Sequence, residues 1–393
     1  MKRMFSKAVS AGIAKPAVST PGAASVYSGV SNPASTAVSA GRLIADLRSD
    51  TVTVPTVEMR NAMANALVGD DVYVEDPTVI DLENLVASIS GHQAAIFCAS
   101  GTMTNQLGIR SLLHSPPYSI VADARSHIYC YEASGVAHHS QALIIPVSPE
   151  NGVSHLTADA IAKHFIIDDD VHHAPTKVIC LENTLAGEIF PYAELVKIRK
   201  LATDHNIKLH LDGARLWNAS AATGVSIKEY CSLFDTVSLC LSKGLGAPVG
   251  SVLVSDPATI KRARHYRKIF GGGWRQAGLL AAAGIYAITH QFPRMHIDHE
   301  NAKRLAEGLG ALGFKITRKP ETNMVWFDTE SRGLTPDAIQ AVLAENGVRI
   351  SGGRNAGECR WVVHHQVPKE AVEHILKVLE DNFGIAAVSA QSA

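Results

Sequence analysis

The chain has 393 residues, of which 46% are hydrophobic, and its formal net charge is -1. A near-neutral charge gives no long-range field that would attract nucleic acid or an anionic membrane surface. The longest apolar run, Leu279 to Ile288, is about half of the ~20 residues that a membrane-spanning helix needs. Six cysteines lie apart without Cys-x-x-Cys spacing, which predicts buried free thiols rather than disulfides or a zinc site.

Residues 1–45 differ from the rest of the chain in composition. They contain Lys2, Arg3, Lys7, Lys15 and Arg42 but no acidic residue, together with many Ala, Ser and Pro. That composition is typical of a mitochondrial transit peptide and equally of a plain disordered tail. We therefore exclude this leader from the fold and expect a cytoplasmic or mitochondrial protein.

From Asp46 onward, short apolar runs of β type alternate with helical patterns such as the one from Pro191 to Asp204. Near-continuous apolar strands separated by helices predict a mostly parallel sheet that is covered on both faces. The predicted strands of this α/β fold are Ala94–Cys98, Ser119–Ala122, Ala142–Val147, Val178–Leu181, Ile207–Leu211, Thr236–Leu241 and Ser251–Val254.

A glycine-rich break at Gly271–Gly273 precedes a region that we expect to be helical to about Gly313. A tail of βαβ type follows, with a Thr335-Pro336 helix start typical of an N-cap followed by proline. Its predicted elements are strands at 323–327, 348–351 and 360–364, a helix to Asn346, and a closing helix over Pro368–Phe383. We therefore predict a large domain over residues 46–290 and a small C-terminal α/β domain, with a linking helix, over 291–393.

Polar residues gather where the predicted strands of the large domain end. They are Ser100-Gly101-Thr102, Asp123, Glu182-Asn183, Asp212 and Ser242-Lys243. In an open α/β sheet the carboxyl edge of the strands is where ligands bind. Sheet stability does not explain polar clusters at one kind of junction, so these positions predict a binding site.

Lys243 follows an apolar strand and precedes Gly244-Leu245-Gly246. Desolvation at such a position lowers the pKa of a lysine, which suits an amine that forms a Schiff base. An isolated Ser-Lys-Gly would instead be read as a surface lysine. Asp212 ends the preceding strand, and a carboxylate there is what the ring nitrogen of pyridoxal phosphate needs, although a strand-end Asp also serves as a helix cap.

Three other features fit the same chemistry. Gly101 and Thr102 open a helix, where backbone N–H groups and hydroxyls suit a phosphate dianion or simply cap the helix. His127 follows another strand end and can lie against a pyridine ring or move protons. Arg360 can clamp a substrate carboxylate or form a surface ion pair.

The His138-His139, His172-His173 and His364-His365 pairs lack metal-ligand spacing, so we predict no metal site.

Taken together, the segments from Asp46 to about Phe383 resemble the low-specificity L-threonine aldolases. These belong to the fold-type I, aspartate aminotransferase-like, enzymes of pyridoxal phosphate. The motifs that carry the resemblance are Asp46–Thr53, Gly69–Tyr73 with Asp76–Thr78, Leu181–Thr184, Asp212–Arg215, Leu241–Gly250 and Gly271–Gln276.

The resemblance implies retro-aldol cleavage of L-threonine or L-allo-threonine to glycine and acetaldehyde, in a homotetramer whose active sites are shared between subunits. Lys243 would hold pyridoxal 5'-phosphate as a Schiff base, with Asp212 on the ring nitrogen and His127 stacked on the ring. Arg215 would contact both cofactor and substrate. The resemblance further places Gly101, Thr102 and a neighbouring subunit's Arg275 at the phosphate. It places Ser49 and Arg360, with Arg215, at the substrate carboxylate and His172 near the substrate hydroxyl. Tyr73 would contribute to the partner's site.

Pro175 stands where relatives are expected to carry an arginine, and the leader is longer than in bacterial relatives. The base, His127 or His172, stays open, as do the preferred threonine isomer and the physiological direction. The rival reactions are transamination and β-elimination on the same fold. A nicotinamide dehydrogenase is disfavoured because Gly244-x-Gly246-x-x-x-Gly250 precedes a predicted strand rather than a helix, and an inactive scaffold is disfavoured by the full residue set.

Overall fold

The structure, a computed structural model, describes residues 43–150, 152–168, 170–351 and 357–384. Most of the predicted leader lies outside these residues. The described strands are β1 (Ala45–Asp46), β2 (Ala94–Cys98), β3 (Ser119–Asp123), β4 (Leu143–Val147), β5 (Thr176–Glu182), β6 (Lys208–Gly213), β7 (Thr236–Cys240), β8 (Ser251–Ser255), β9 (Lys315–Arg318), β10 (Met324–Asp328), β11 (Val348–Arg349) and β12 (Glu358–Val362).

The α-helices begin where the sequence supplies caps. Asp76, Ser100 and Thr335 each accept a hydrogen bond from the first helical turn with a side-chain oxygen. The described helices are α1 (Val57–Ala64), α2 (Pro77–Ser90), α3 (Gly101–Leu112), α4 (His127–Cys130), α5 (Ala158–Ala162), α6 (Tyr192–Asp204), α7 (Leu216–Thr223), α8 (Ile227–Cys231), α9 (Pro257–Ile269), α10 (Gly278–Tyr286), α11 (Met295–Ala311), α12 (Pro336–Glu345) and α13 (Lys369–Phe383).

The central sheet has seven strands in the order β2-β8-β7-β6-β5-β3-β4. Strands β4, β3, β5, β6 and β7 pair in parallel, whereas β8 runs antiparallel to both β7 and β2. Since β2 therefore runs in the same direction as β7, the carboxyl ends of six strands lie at one edge. This confirms the predicted mostly parallel sheet, and it puts the polar clusters that follow β2, β3, β5, β6 and β7 at that edge.

A second core joins the C-terminal elements. Strands β9, β10 and β12 form a three-stranded antiparallel sheet, and the two-residue strand β1 pairs in parallel with β11. Ala45 and Leu47 lie in the same apolar cluster as Phe327 and Trp361. The segment at the start of the predicted large domain thus packs into the small domain, directly before Ser49 and Asp50.

Several local predictions differ from the structure. The strand predicted over 348–351 is limited to Val348–Arg349, and β9 was not predicted. All six cysteines are free, but Cys130 is exposed rather than buried. Among the described residues, no helix is long and apolar enough to span a bilayer.

Candidate active site

Lys243 stands in the turn after β7, at the carboxyl edge of the sheet. Its backbone carbonyl accepts from Gly246 N at 2.8 Å, which closes the turn. Gly246 has a φ of 78°, and a Cβ there would lie 2.5 Å from the His365 ring, so glycine is required at this position. Burial opposes the Asp50 charge, but Arg215 and then Lys243 lower the pKa of Asp50, and Lys243 also opposes the rise in the pKa of Glu182, so its ammonium acts on both carboxyl groups.

Asp212 lies at the next strand end, inside a hydrogen-bonded network. Oδ1 accepts from Ala214 N at 2.9 Å, and Oδ2 accepts from the Asn105 amide at 2.7 Å. The same amide nitrogen donates to Glu132 Oε1 at 2.9 Å. Because an amide has two N–H donors, Asn105 satisfies one oxygen of each carboxylate and holds the two negative charges apart.

A buried histidine, His210, fixes the orientation of the Asn105 amide. His210 Nε2 lies 3.1 Å from Asn105 Oδ1, and His210 Nδ1 lies 2.8 Å from Thr236 Oγ1. Burial lowers the pKa of His210 to about 4, so the ring is neutral at physiological pH. A neutral ring that donates from Nε2 must accept at Nδ1, and the Asn105 amide therefore faces the two carboxylates.

His127 is bound by the same network at the start of α4. Its backbone N–H donates to Glu182 Oε2 at 2.8 Å, and its Nδ1 donates to Glu132 Oε1 at 2.8 Å. The hydrogen bond to Glu132 raises the pKa of His127, with a further contribution from the Asp212 charge. Since Nδ1 is committed to Glu132, Nε2 is the nitrogen that can exchange a proton with a ligand.

Glu182 ends β5 beside Asp212, its partner in the strand register. Burial and the Asp212 charge raise the pKa of Glu182 to about 8, against the opposing effects of the His127 N–H and Lys243. Neither Glu182, Glu132 nor Asn105 was assigned a role from the sequence. Glu182 lay within a segment already singled out, Asn105 stands three residues after Thr102, and Glu132 had no local signal.

His127, Glu132 and Asp212 offer ligand atoms within 4.8 Å of one another, a spacing that can hold a metal ion. However, the Asn105 amide nitrogen lies 2.7 Å and 2.9 Å from the two carboxylates, between them. A cation bridging these carboxylates would have to displace it. The trio is better explained as a hydrogen-bonded network.

Gly101 and Thr102 form the first turn of α3, capped by the Ser100 hydroxyl, which accepts from Met103 N at 3.1 Å. A Cβ on Gly101 would come no closer than 4.0 Å to Cys240 Sγ, at the end of β7. The free N–H groups of this turn thus point out next to the strand that leads to Lys243, as an anion-binding helix start requires.

The three residues predicted to bind a carboxylate approach one another from both domains. Arg215 follows β6, Ser49 caps the short helical turn over Asp50–Val52, and Arg360 lies in β12. Arg360 Nη2 donates to the carbonyl oxygen of Arg48, the residue before Ser49, at 3.2 Å. Arg215 is hydrogen-bonded to Asp50, the residue after Ser49.

Two predicted residues lie elsewhere in the chain. His172 is in the loop before β5, where its side chain is 83% exposed and its Nδ1 lies 2.7 Å from Asp170 Oδ1. This is the amino end of β5, so the length of a strand of about 20 Å separates it from Glu182. Arg275 is also exposed, with Nη1 3.7 Å from Asp70 Oδ1. Within one chain the structure does not bring either residue to Lys243.

The sequence model of the β-eliminating lyase family matches residues 46–331. The low-specificity L-threonine aldolase of Candida albicans is 45% identical over 85% of this chain and 88% of its own length. A probable low-specificity L-threonine aldolase of Schizosaccharomyces pombe is 46% identical over 85% and 86%.

The chain belongs to the threonine aldolase family. A putative L-allo-threonine aldolase from Listeria monocytogenes has a solved structure that superimposes with a TM-score of 0.71 at 26% identity, over 86% of this chain and 96% of that one. The family and the fold class predicted from the sequence are therefore confirmed. The dehydrogenase alternative fails as expected, because Gly250 leads directly into strand β8 rather than a helix.

Proposed function

We propose that this protein is a pyridoxal-phosphate-dependent aldolase that cleaves L-threonine and L-allo-threonine reversibly to glycine and acetaldehyde. The observation that carries this proposal is the convergence of Lys243, Asp212 and His127 at one sheet edge, in a chain of the threonine aldolase family.

The residues at the edge fit pyridoxal phosphate. Gly101 and Thr102 would offer backbone N–H groups to the phosphate, Asp212 would offer a fixed carboxylate to the ring nitrogen, and Lys243 would supply the amine that binds the aldehyde. When bound, this cofactor supplies an electron sink for the electron pair of a bond broken at the substrate's Cα. The buried His210 and Asn105 keep the Asp212 carboxylate in place.

Binding and orientation of the substrate fall to the cluster that joins the two domains. Ser49, Arg215 and Arg360 hold the α-carboxylate, since two guanidinium groups and a hydroxyl match its acceptors. Fixing the carboxylate sets the direction of the Cα–Cβ bond, which is a positioning contribution to catalysis. The Arg215 side chain is only 11% exposed and is bound by Asp50.

His127 is the proposed base. Its Nε2 takes the proton of the β-hydroxyl group, the Cβ–O bond becomes the carbonyl of acetaldehyde, and the Cα–Cβ bond breaks. A proton returned to Cα gives glycine. Glu132 stabilises the imidazolium that forms on His127. His172, at the opposite edge of the sheet, can act only in the site of another subunit.

A homotetramer with shared sites is the proposed assembly. Tyr73 is 74% exposed and Leu67 is 73% exposed on the segment that precedes α2. The backbone of Arg275 meets this segment, because its carbonyl accepts from Asp71 N at 3.1 Å. An exposed apolar surface next to an exposed arginine supports a subunit contact through which Arg275 and Tyr73 reach a partner's site. A cytoplasmic or mitochondrial location rests on the leader composition alone.

The decisive experiment measures glycine and acetaldehyde released from L-threonine by cofactor-loaded protein. Lys243→Ala should abolish this release, because no other amine replaces the one that binds the cofactor aldehyde. Lys208→Ala, an exposed lysine at the opposite edge of the sheet, should keep full activity.

Other products would identify a rival reaction. Formation of 2-oxobutanoate with ammonia would replace the aldolase by a β-elimination. Formation of an oxo acid with the amine form of the cofactor would replace it by a transamination.

A further inference from the structure

Arg215 is held by a buried carboxylate to which no role has been assigned so far. Its Nε donates to Asp50 Oδ2 at 2.8 Å and its Nη2 donates to Asp50 Oδ1 at 2.6 Å. The Asp50 side chain is fully buried. Two parallel hydrogen bonds fix both the position and the plane of a guanidinium group.

The geometry leaves one nitrogen of Arg215 for a ligand. Among the described residues none accepts a hydrogen bond from Nη1, and this nitrogen is not one of the fully buried unpartnered atoms. Nη1 therefore keeps some exposure to solvent. Because a guanidinium is planar, the Asp50 bonds determine where Nη1 points.

Asn323 connects Asp50 to the small domain. Its amide nitrogen lies 3.1 Å from Asp50 Oδ2 and 3.0 Å from the carbonyl oxygen of Val363. Val363 follows β12, the strand that carries Arg360, by one residue. A single amide thus ties the carboxylate that orients Arg215 to the domain that supplies the other arginine.

We infer that Asp50 is a positioning residue that aims Arg215 Nη1 at the substrate α-carboxylate and so makes the site selective for ligands that carry this group. The inference rests on the proposed function, since it assigns the carboxylate to Arg215. Asp50 itself touches no substrate. It acts by holding the guanidinium of Arg215 in one orientation that leaves Nη1 as the donor for the ligand.

The isosteric change Asp50→Asn tests this inference. It keeps one acceptor oxygen but removes the charge, and the new N–H group faces the guanidinium, so the plane of Arg215 is no longer fixed. The dissociation constants of glycine and ethanolamine are measured on the cofactor-loaded protein from the change in cofactor absorbance. Ethanolamine has the same amine with an alcohol in place of the carboxylate.

We expect the dissociation constant of glycine to rise about ten- to a hundredfold, the range for a hydrogen bond to a charged group. That of ethanolamine should stay within about twofold, because it makes no bond to Arg215. KM for L-threonine should rise more than kcat falls, as for a loss of ground-state binding. Equal weakening of both ligands, or unchanged glycine affinity, would overturn the inference.

Two further variants keep the test independent of folding. Asn323→Ala retains the Arg215–Asp50 pair and removes one donor to Asp50, so glycine affinity alone should fall by about threefold. Asp235→Asn breaks an Arg–Asp pair at the opposite edge of the sheet and should leave the glycine-to-ethanolamine ratio unchanged. A changed ratio in Asp235→Asn would count against a role specific to Asp50.

Failure of the proposed function gives a different result. A wild-type protein that binds glycine but releases no acetaldehyde from L-threonine would refute the reaction. The ratio of dissociation constants would still report on Asp50, because it needs no turnover.

Discussion

The pKa of a carboxyl group is shifted in opposite directions at the two edges of the central sheet. At the amino edge, Asp235 accepts hydrogen bonds from Arg199 Nη1, Lys208 Nζ and Leu209 N, each at 2.9 Å. Although burial opposes its charge, these donors hold the pKa of Asp235 below its ordinary value. The charge at this edge is compensated by neighbours and contributes to stability.

At the carboxyl edge, two carboxyl groups lie side by side. Glu182 and Asp212 are register partners on adjacent strands, and the pKa of Glu182 is raised to about 8. Asn105 and Lys243 compensate these carboxylates only in part. Neighbouring donors thus compensate the carboxylate at the amino edge, whereas burial and an adjacent carboxylate raise the pKa of Glu182 at the carboxyl edge, a perturbation that is common at functional sites.

The largest effect on activity is expected from removing the Asp212 charge at the carboxyl edge, with the matched change at the amino edge as control. Asp212→Asn should lower kcat/KM for L-threonine by at least about a hundredfold, the loss typical of a buried electrostatic stabiliser. An amide cannot keep a proton on the cofactor ring nitrogen as a carboxylate does. Acetaldehyde release under saturating cofactor measures this change.

The matched change at the amino edge, Asp235→Asn, should leave turnover unchanged and lower the melting temperature, since it removes only pairing with Arg199 and Lys208. Similar kinetic losses in Asp212→Asn and Asp235→Asn would show that the carboxyl edge has no special role in the chemistry.

The strands were predicted well because buried parallel strands are apolar on both faces. Ala94–Cys98 coincides with β2, and Thr236–Leu241 exceeds β7 by one residue. Strand β9 was missed because Lys315–Arg318 is short, has Ile316 as its only apolar residue, and is partly exposed. Its strand conformation depends on pairing with β10, which no local pattern reveals.

The residues of the site were predictable where they stand at or just after the end of an apolar strand, as Asp212 and Lys243 do. It was not predictable where a contact depends on packing between distant elements. Asn105 reaches Asp212 across 107 residues of sequence because α3 packs over β6. Glu132 lies only five residues after His127, yet its role appears only when the chain turns back to the ring.

A second comparison of the edges concerns stability against pH. The folded pKa of Glu182, about 8, exceeds the ordinary value of 4.5, so folding favours the neutral acid. The contribution of Glu182 to the free energy of unfolding is fully present below about pH 4.5 and is lost as the pH rises to about 8. Glu182→Gln removes this loss and should raise the free energy of unfolding at pH 9 relative to that at pH 5.

Urea denaturation at the two pH values measures this change on cofactor-free and cofactor-loaded protein. For Asp235 the sign is opposite, because its pKa is lowered on folding and its charge stabilises the fold at pH 9. Asp235→Asn should therefore reduce the free energy of unfolding there. If the Glu182→Gln protein were less stable than wild type at pH 9, burial and the Asp212 charge would not destabilise ionised Glu182.

The smallest effect is expected at Glu132, which acts on the proposed base rather than on the substrate. Glu132→Gln keeps a hydrogen-bond acceptor beside His127 Nδ1 but removes the charge that raises its pKa. Turnover should fall by about tenfold, less than the full contribution of a general base. The acid limb of the kcat profile should move to lower pH, because a base with a lower pKa stays unprotonated in more acidic solution.

Steady-state rates between pH 5 and 9 test this shift, with Glu229→Gln as the control. Glu229 caps helix α8 on the exposed surface, so its loss should leave the acid limb in place. If Glu132→Gln lowered kcat without moving the limb, His127 would not be the group whose protonation limits turnover. The limb would then belong to another titrating group, and Glu182, with its pKa near 8, is the carboxyl that next contacts the same histidine.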